Sequence, residues 1–348
     1  MINEWKAFLQ TAGAEFDGSG VTSFGNRRRE LSVAVTGNVF ADLSHYGLIA
    51  VHGKDAETFL QGQLTNDVRM VDAGHSQLTG LCNPKGRLLA SFRLFRLGDS
   101  YYLCLPGDMV EGVLNRLRMF VLRSEVTLEE SSDTFVHLGI SGIDAAATLA
   151  DFAGELPAAV GEVCAGDNQV VIQVPGIHPS YELFTTVEQA SSLWDQLNVR
   201  SAPVGEEAWR LLDIQAGIPV IYPQTREAFV PQMTNLQLVD GVSFKKGCYT
   251  GQEIVARMEY LGKLKRRMYR ARVSSDTLPR PGDEVFSGDD SRQNCGQLVS
   301  AAGHPDGDYA VLAVLQIASA EGEAGLHLGT ADGPPLSLEA LPYAFAED

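Results

Sequence analysis

Apolar residues along the chain follow both helical and alternating patterns, and the two kinds of segment are mixed without a regular βα array. The clearest helix covers residues 205–217, where Trp209, Leu212 and Ala216 share one face and acidic residues occupy the first turn. The apolar run at 31–39 predicts a strand instead. This mixture of helices and strands favours the α+β class.

One supersecondary unit occurs twice. Each copy has the pattern of an apolar strand, a Gly-x-Asp-Ala turn and an amphipathic helix, with the turns at residues 53–56 and 142–145. Residues 77–120 and 169–197 continue the two copies, since each adds short strands followed by a helix. We therefore expect two related α/β halves of ferredoxin-like type.

From Lys263 onward the pattern changes to strands separated by tight turns, such as those at 281–283 and 305–308. Closely spaced strands of this kind are typical of a small all-β barrel. The sequence thus predicts a body of two related halves over residues 1–262 and a C-terminal β-barrel over residues 263–348.

Composition and charge narrow the class of protein. The formal net charge is −17 at pH 7, which disfavours indiscriminate binding to nucleic acid or to an anionic membrane. The five cysteines are scattered with no C-x-x-C pair, which argues against a disulfide framework and a metal site, so we expect no metal. No apolar run is long enough to span a bilayer and the first residues lack a signal-peptide pattern, so we expect a cytoplasmic protein.

The segment with the most chemistry, here called the signature segment, is Lys246-Gly247-Cys248-Tyr249-Thr250-Gly251-Gln252-Glu253. Thr250 and Glu253 have the spacing of a capping box, which predicts a helix with Thr250 as its N-cap. Cys248 would then lie just before a helix N-terminus, beside Lys245 and Lys246, and both the helix dipole and the ammonium groups favour a thiolate. The alternative is a small residue buried in a tight loop.

Basic residues are concentrated around the same point. Between Lys245 and Arg270 there are eight Lys and Arg residues and two acids, Glu253 and Glu259, in a chain that is acidic overall. The pattern predicts either a solvated surface or a site for anions, such as the carboxylates of a ligand tail or the phosphates of RNA. Because the aromatic platform of an RNA-binding module is missing, we do not expect direct tRNA binding.

Several segments together resemble one protein family. They are residues 59–68, 216–219, 229–237, 241–245, 341–343 and the signature segment. This set is similar to the YgfZ-type folate-binding proteins, which are relatives of the glycine-cleavage T-protein, an aminomethyltransferase. The resemblance implies a folate-binding body with a C-terminal barrel, and tetrahydrofolate or another reduced folate as the cofactor. It also implies a role in the assembly or repair of iron–sulfur enzymes, including tRNA-modifying ones.

The resemblance assigns roles to individual residues. It places the two folate-contacting aromatics on Tyr46 and Trp209; the first is Trp in a relative and Tyr here, which keeps a smaller stacking face for a pterin. It makes Cys248 a functional thiol of unknown reaction, and Lys246 is our candidate for contact with the glutamate tail of folate. Iron–sulfur enzymes or their assembly machinery are the implied partners.

One departure from the aminomethyltransferases bears on activity. Their paired aspartates, one of which is needed for catalysis, match Ala90 and Ser91 of this chain, and neither can act as a carboxylate. They also carry an acidic residue at the position of Cys248. We therefore expect no functional aminomethyltransferase. A folate-dependent one-carbon transferase or demethylase is the alternative hypothesis, and a scaffold that docks a partner through the basic residues is a third.

Overall fold

The computed structural model describes residues 1–18, 20–166, 168–288 and 293–345 of the chain. The helices are α1 (Asn3–Thr11), α2 (Arg27–Thr36), α3 (Ala56–Gln61), α4 (Gly107–Arg118), α5 (Ala145–Ala153), α6 (Val187–Arg200), α7 (Glu206–Gln215), α8 (Gln252–Tyr260) and α9 (Ile317–Ala320). The strands are β1 (Glu15–Asp17), β2 (Gly20–Ser23), β3 (Val39–Asp42), β4 (Tyr46–His52), β5 (Gln77–Cys82), β6 (Leu88–Leu97), β7 (Ser100–Pro106), β8 (Thr127–Glu130), β9 (Val136–Ser141), β10 (Val163–Gly166), β11 (Gln169–Val174), β12 (Ser180–Thr185), β13 (Ala202–Val204), β14 (Arg266–Val273), β15 (Glu284–Ser287), β16 (Asn294–Gly303), β17 (Tyr309–Gln316), β18 (Leu326–Leu328) and β19 (Pro335–Glu339). None of the helices in these ranges is both long and apolar enough to cross a membrane.

The chain divides into two compact units, each assembled from segments that are separate in sequence. The first unit comprises Met1–Phe59, Arg69–Gln77 and Arg93–Leu212, and the second comprises Leu60–Val68, Leu78–Phe92 and Asp213–Asp348. The boundary that the sequence places after residue 262 stays a prediction.

The first unit is built on a sheet with one apolar face. Its strand order is β10-β11-β12-β9-β3-β13, and neighbouring strands are antiparallel except β3 and β13. Because side chains alternate along a strand, Val136, Leu138 and Ile140 of β9 share one face. They belong to a core that includes Trp5 of α1 and Trp194 of α6. The opposite face of β9 is left for other contacts.

The order of elements along the chain repeats once. It is β4-α3-β5-β6-β7-α4-β8 in the first copy and β9-α5-β10-β11-β12-α6-β13 in the second. Pairing repeats as well, since β7 lies beside β4 as β12 lies beside β9, and β5 and β6 form a hairpin as β10 and β11 do. These observations confirm the two related α/β halves predicted from the sequence.

The second unit contains a closed barrel. Its strands follow the order β14-β17-β16-β15-β18-β19, with β19 paired back to β14 and all neighbours antiparallel. Alternate residues such as Ala271 and Val273 of β14 fill the interior together with Val285, Leu298 and Val311. The predicted C-terminal β-barrel is confirmed.

The strand predicted at residues 31–39 is wrong, because most of that run belongs to α2. The side chain of Asn26 caps the helix by accepting a hydrogen bond of 3.0 Å from the Arg29 amide. Leu31 and Ala34, one helical turn apart, are both buried. The valines of the run favour a strand by propensity, but the cap and the burial of one helical face outweigh them.

Candidate functional site

The polar face of β9 packs against a second layer of strands within the first unit. This layer consists of β4, β7, β8 and the part of β6 from Arg93 onward. On this face β9 carries His137 and Gly139, and the paired strand β12 carries Glu182 and Phe184. The ring of Phe184 stacks on that of Phe95 from β6, with centroids 4.6 Å apart. Side chains of β12 and β6 therefore pack the two layers against each other.

Four side chains between the layers form a buried polar group, here called the interlayer cluster: Arg93, Cys104, His137 and Glu182. Nε of Arg93 and Nε2 of His137 lie 3.5 and 3.4 Å from the same carboxylate oxygen of Glu182. Sγ of Cys104 lies 3.9 Å from Nδ1 of His137. Despite these distances, Nε of Arg93 and Nε2 of His137 make no well-aligned hydrogen bond. Both atoms therefore remain donors for a further partner, such as a polar ligand or a water.

The charges of the cluster follow from burial and from its own members. Burial alone would raise the pKa of Glu182, but the charge of Arg93, together with His137, holds that pKa below its ordinary value. Burial and, to a smaller extent, the negative charge of Glu182 raise the pKa of the Cys104 thiol well above its ordinary value. At neutral pH the cluster thus contains a carboxylate, a guanidinium and a neutral thiol.

Within the described ranges, one group of side chains has a spacing that could hold a metal ion: Cys104, His137 and Glu182, whose ligand atoms lie within 4.8 Å of one another. Binding a metal would require the buried thiol of Cys104 to lose its proton. The guanidinium of Arg93 also opposes a second cation beside Glu182. The cluster therefore suits an organic ligand with donors and acceptors better than a metal ion.

The two predicted folate-stacking aromatics border this cluster. Trp209 projects from α7 onto Gly139, where a β-carbon would come within 2.6 Å of the indole ring. The indole is largely covered, with 3% of the residue exposed. Tyr46, the first residue of β4, is half-buried, and its ring centroid lies 6.1 Å from that of His137. The structure thus brings Tyr46 and Trp209 to neighbouring positions against one face of β9.

His45 adds another polar group beside Tyr46, with ring centroids 4.6 Å apart. Burial and, to a smaller extent, the charge of Arg210 lower the pKa of His45 to about 3. The imidazole is therefore neutral at pH 7, and the 3.8 Å approach of its Nδ1 to Glu206 is not an ion pair. This nitrogen is buried without a hydrogen-bond partner among the described residues.

The signature segment belongs to the second unit and packs against two other loops of that unit. The Thr250 amide donates a hydrogen bond of 3.3 Å to the carbonyl of Gly62, just after α3. Gly251 has a φ of +85°, and a β-carbon there would lie 2.5 Å from the carbonyl oxygen of Asn83 in the β5–β6 turn. Both the backbone angle and the close approach require glycine at residue 251.

Lys246 is buried within this arrangement. Its ammonium donates to the carbonyl oxygens of Leu64 at 2.6 Å and of Asn66 at 2.7 Å. It also lies 5.1 Å from the centroid of the Tyr249 ring. The role of Lys246 toward a folate tail stays a prediction, and the structure gives this ammonium a second, structural role.

Cys248 and Gly247 are exposed, although their neighbours Lys246 and Tyr249 are buried. A β-carbon at Gly247 would meet nothing within 4 Å. Cys248 is therefore not a small residue buried in a loop. Its thiol lies on the surface, on a backbone that buried neighbours hold on both sides.

The capping box predicted at Thr250 and Glu253 is wrong. Helix α8 begins at Gln252, and its N-cap is Gly251, which has no side chain to cap it. The positive φ of Gly251 turns the chain at this point, so Thr250 stays outside the helix. Cys248 consequently lies one residue farther from the first turn of the helix than predicted.

Ala90 and Ser91, which match the aspartates of the aminomethyltransferases, are both buried in the second unit. Oγ of Ser91 donates to the carbonyl of Pro219 at 3.0 Å and accepts from the amide of Ile221 at 3.1 Å. This hydroxyl fixes the loop after α7 and provides no carboxylate for proton transfer.

The interlayer cluster has no motif in the sequence. Its one local signal is Glu182, a charged residue between Tyr181 and Leu183 in an otherwise buried strand. The partners Arg93 and His137 lie on other strands, and nothing in the local pattern indicates that these strands meet.

Known proteins share this architecture. The sequence pattern of the GCVT N-terminal domain matches residues 14–174. The crystal structure of glycine cleavage system aminomethyltransferase T from Bartonella henselae is similar with a TM-score of 0.79 at 20% identity, covering 97% of this chain and 96% of that chain. The chain therefore has the fold of the aminomethyltransferase T class.

Sequence relatives define the family within that class. The tRNA-modifying protein YgfZ of Serratia proteamaculans (strain 568) is 31% identical over 307 residues, which are 88% of this chain and 92% of that protein. The protein of the same name from Yersinia pestis (strain Pestoides F) is 32% identical with the same coverage. The chain belongs to the family of the tRNA-modifying protein YgfZ.

Proposed function

We propose that this protein binds tetrahydrofolate, or another reduced folate, and supports the assembly or repair of iron–sulfur enzymes, including tRNA-modifying ones, through Cys248. The observation that carries the folate part is the interlayer cluster with Tyr46 and Trp209 at its border. The proposed partners are iron–sulfur enzymes or their assembly machinery, and the proposed location is the cytoplasm.

The chemistry of the cluster supports a pterin. The pyrimidine edge of a pterin presents N–H donors next to a carbonyl oxygen. The ionised carboxylate of Glu182 accepts such donors, and Arg93 and His137 donate to such an oxygen. Because the charges of Glu182 and Arg93 cancel, the cluster favours a neutral polar ring over a phosphate, which needs an excess of cations.

The aromatic border supports the same ligand. Tyr46 is half-buried as a residue, and stacking on a flat heterocycle requires an accessible aromatic face. Trp209 has less accessible surface than Tyr46. Its indole occupies the space that the missing side chain of Gly139 provides, and its contribution to ligand binding depends on that position. Tyr46 is therefore the better placed of the two for direct stacking.

The thiol part rests on Cys248 being exposed on a constrained backbone. A thiolate is both a nucleophile and a ligand for iron, and either property serves an iron–sulfur partner. Aminomethyl transfer is disfavoured, since Ser91 is committed to Pro219 and Ile221 and supplies no carboxylate.

Anaerobic isothermal titration calorimetry with tetrahydrofolate tests the ligand. We expect binding in the wild type and affinities about tenfold weaker or more in two variants: Trp209→Ala, which loses an aromatic contact, and Glu182→Gln, which loses one charged hydrogen bond. Gly139→Ala is a second test of the border, because it keeps every side chain of the cluster and its β-carbon collides with the indole. Glu129→Gln, an exposed carboxylate on β8, is the control. No binding at millimolar ligand, or equal binding by all three variants, would contradict the assignment.

Complementation tests the thiol. In a deletion strain of the organism that encodes this protein, the wild type should restore the product of an iron–sulfur tRNA-modifying enzyme, measured as the modified nucleoside. Cys248→Ser should fail, whereas Cys164→Ser, which changes a partly exposed cysteine of the first unit, should succeed. Full restoration by Cys248→Ser rejects a functional thiol.

A further inference from the structure

The surface that follows Cys248 along α8 carries exposed apolar side chains among cations. Tyr260 is 66% exposed and Leu261 is 85% exposed at the end of the helix. The ring of Phe244, in the loop before the signature segment, contacts that of Tyr260 with centroids 6.2 Å apart. We call the following residues the α8 surface: Phe244, Lys245, Arg257, Tyr260, Leu261 and Lys263.

This surface is locally cationic on an acidic protein. Lys245, Arg257 and Lys263 are exposed and make no ion pair with any of the described residues, while the whole chain has a net charge of −17. Two exposed carboxylates, Glu253 and Glu259, lie on the same helix. A partner therefore meets a net positive surface that still contains negative positions.

The apolar side chains point to association. Exposed aliphatic and aromatic residues bordered by charged ones are typical of protein interaction sites. Burying Leu261 and Tyr260 removes apolar area from water and so favours binding, while the cations steer an acidic partner to the site.

We propose that the α8 surface docks an acidic protein segment that also carries apolar side chains. RNA fits this surface less well, because its evenly spaced phosphates would meet Glu253 and Glu259 and it has no aliphatic groups to cover Leu261. An anionic membrane fits less well because its headgroups would also meet these two glutamates. The strongly negative net charge of the whole chain opposes such a membrane as well. A protein segment supplies acids and apolar groups together.

The position of the surface links it to the thiol. Cys248 follows Phe244 by four residues, which span at most about 14 Å of extended chain. A segment docked on the α8 surface therefore lies within reach of the exposed thiol. The inference gives the chemistry of the partner that the proposed function leaves open, and it does not depend on folate binding.

Photocrosslinking in cells tests the proposal with the full-length chain. The protein carries p-benzoylphenylalanine in place of Leu261 and is expressed in the organism that encodes it. Mass spectrometry of the adduct should map the crosslink to a protein segment of net negative charge that contains apolar residues. The matched control places the same group at Ile143, which is 71% exposed in the first unit.

Charge reversal then tests the cations. Lys245→Glu combined with Lys263→Glu should lower the yield of the Leu261 adduct about tenfold, as expected when two interfacial charge pairs become repulsive. Arg28→Glu combined with Arg29→Glu makes the same change in charge on the exposed start of α2 and should leave the yield unchanged. A synthetic peptide of the mapped segment should show the same ranking in fluorescence anisotropy with the purified variants.

Four results would overturn the inference: an adduct with RNA, an adduct with a second copy of this chain, a mapped segment without net negative charge, or no adduct beyond that of the Ile143 control. Failure of tetrahydrofolate binding in calorimetry would leave the crosslinking result intact, so the two proposals fail separately.

Discussion

Within the signature segment, two buried residues enclose two exposed ones. Lys246 and Tyr249 are buried, whereas Gly247 and Cys248 between them are exposed. Burial and, to a smaller extent, the nearby Cys82 raise the pKa of the Tyr249 phenol, so the phenol stays neutral. Two buried anchors restrict the backbone between them, and the thiol is presented to solvent by contacts that its neighbours make.

Replacing Lys246 with alanine tests the first anchor. The change leaves the carbonyls of Leu64 and Asn66 without their donor, so we expect the free energy of unfolding to fall by about 2–3 kcal/mol. Urea unfolding followed by circular dichroism measures it. Lys245→Ala, at the exposed neighbouring position, should change it by less than about 0.5 kcal/mol. Unchanged stability with weaker tetrahydrofolate binding would instead support Lys246 as a folate ligand.

Glu182 should make stability depend on pH in the acid range. Its pKa in the folded protein lies below the ordinary value of 4.5, so the unfolded chain takes up the proton more readily. The contribution of Glu182 is complete above the unfolded pKa and is lost as pH falls through the folded pKa. Between about pH 5 and pH 3 the wild type should therefore lose stability more steeply than Glu182→Gln.

Thermal unfolding at a series of pH values measures that slope. Glu129→Gln removes an exposed carboxylate and should keep the steep profile of the wild type. If Glu182→Gln is as steep as the wild type, the ion cluster with Arg93 and His137 contributes nothing to acid stability.

Among the elements, local pattern predicts those whose burial is set by neighbours in sequence. Strands β6 and β11 lie within the ranges 77–120 and 169–197, where the pattern predicts short strands, and α7 matches its predicted helix closely. The start of α8 could not be predicted, because it depends on how Gly251 lies against Asn83, far away in sequence. Strand–strand contacts likewise create the interlayer cluster, so a single strand gives only the weak signal of one charged residue.

Some residues of the candidate site are likewise indicated by the sequence, whereas others are found only in the structure. The resemblance indicates Tyr46, Trp209 and Cys248 because they lie in or near recognisable motifs. Arg93 and His137 lie in strands without any motif, and only the packing of the two layers brings them to Glu182.

The two glycines of the signature segment offer a matched pair for testing the element. Gly251→Ala combines an unfavourable φ with a collision at the Asn83 carbonyl, and it should lower the free energy of unfolding by about 1–3 kcal/mol. It should also impair complementation although Cys248 is intact, because the loop that holds the thiol shifts. Gly247→Ala has open space and should change stability by less than about 0.5 kcal/mol. Thermal unfolding and complementation of both variants decide, and equal effects would contradict the role of the β5–β6 turn.

At the scale of the whole molecule, the chain passes between its two units five times. The crossings follow Phe59, Val68, Gln77, Phe92 and Leu212. Neither unit is therefore a continuous segment, and contacts within each join residues that are distant in sequence, which slows folding relative to a chain of local contacts. The boundary predicted after residue 262 lies inside the second unit, so it concerns the independence of the barrel and not the division into units.

Limited proteolysis of the full-length protein tests that boundary. The residues between α8 and β14 are irregular, and Lys263 and Lys265 among them are exposed. If the barrel is a domain of its own, this connection opens more easily than the elements on either side, so trypsin at low ratio should cut first after one of these lysines. Intact-mass measurement of the fragments identifies the cut. Arg257, exposed within α8, is the internal control, because equally early cleavage there indicates fraying of the helix. A first cut at another exposed arginine, such as Arg123, would contradict a domain boundary after residue 262.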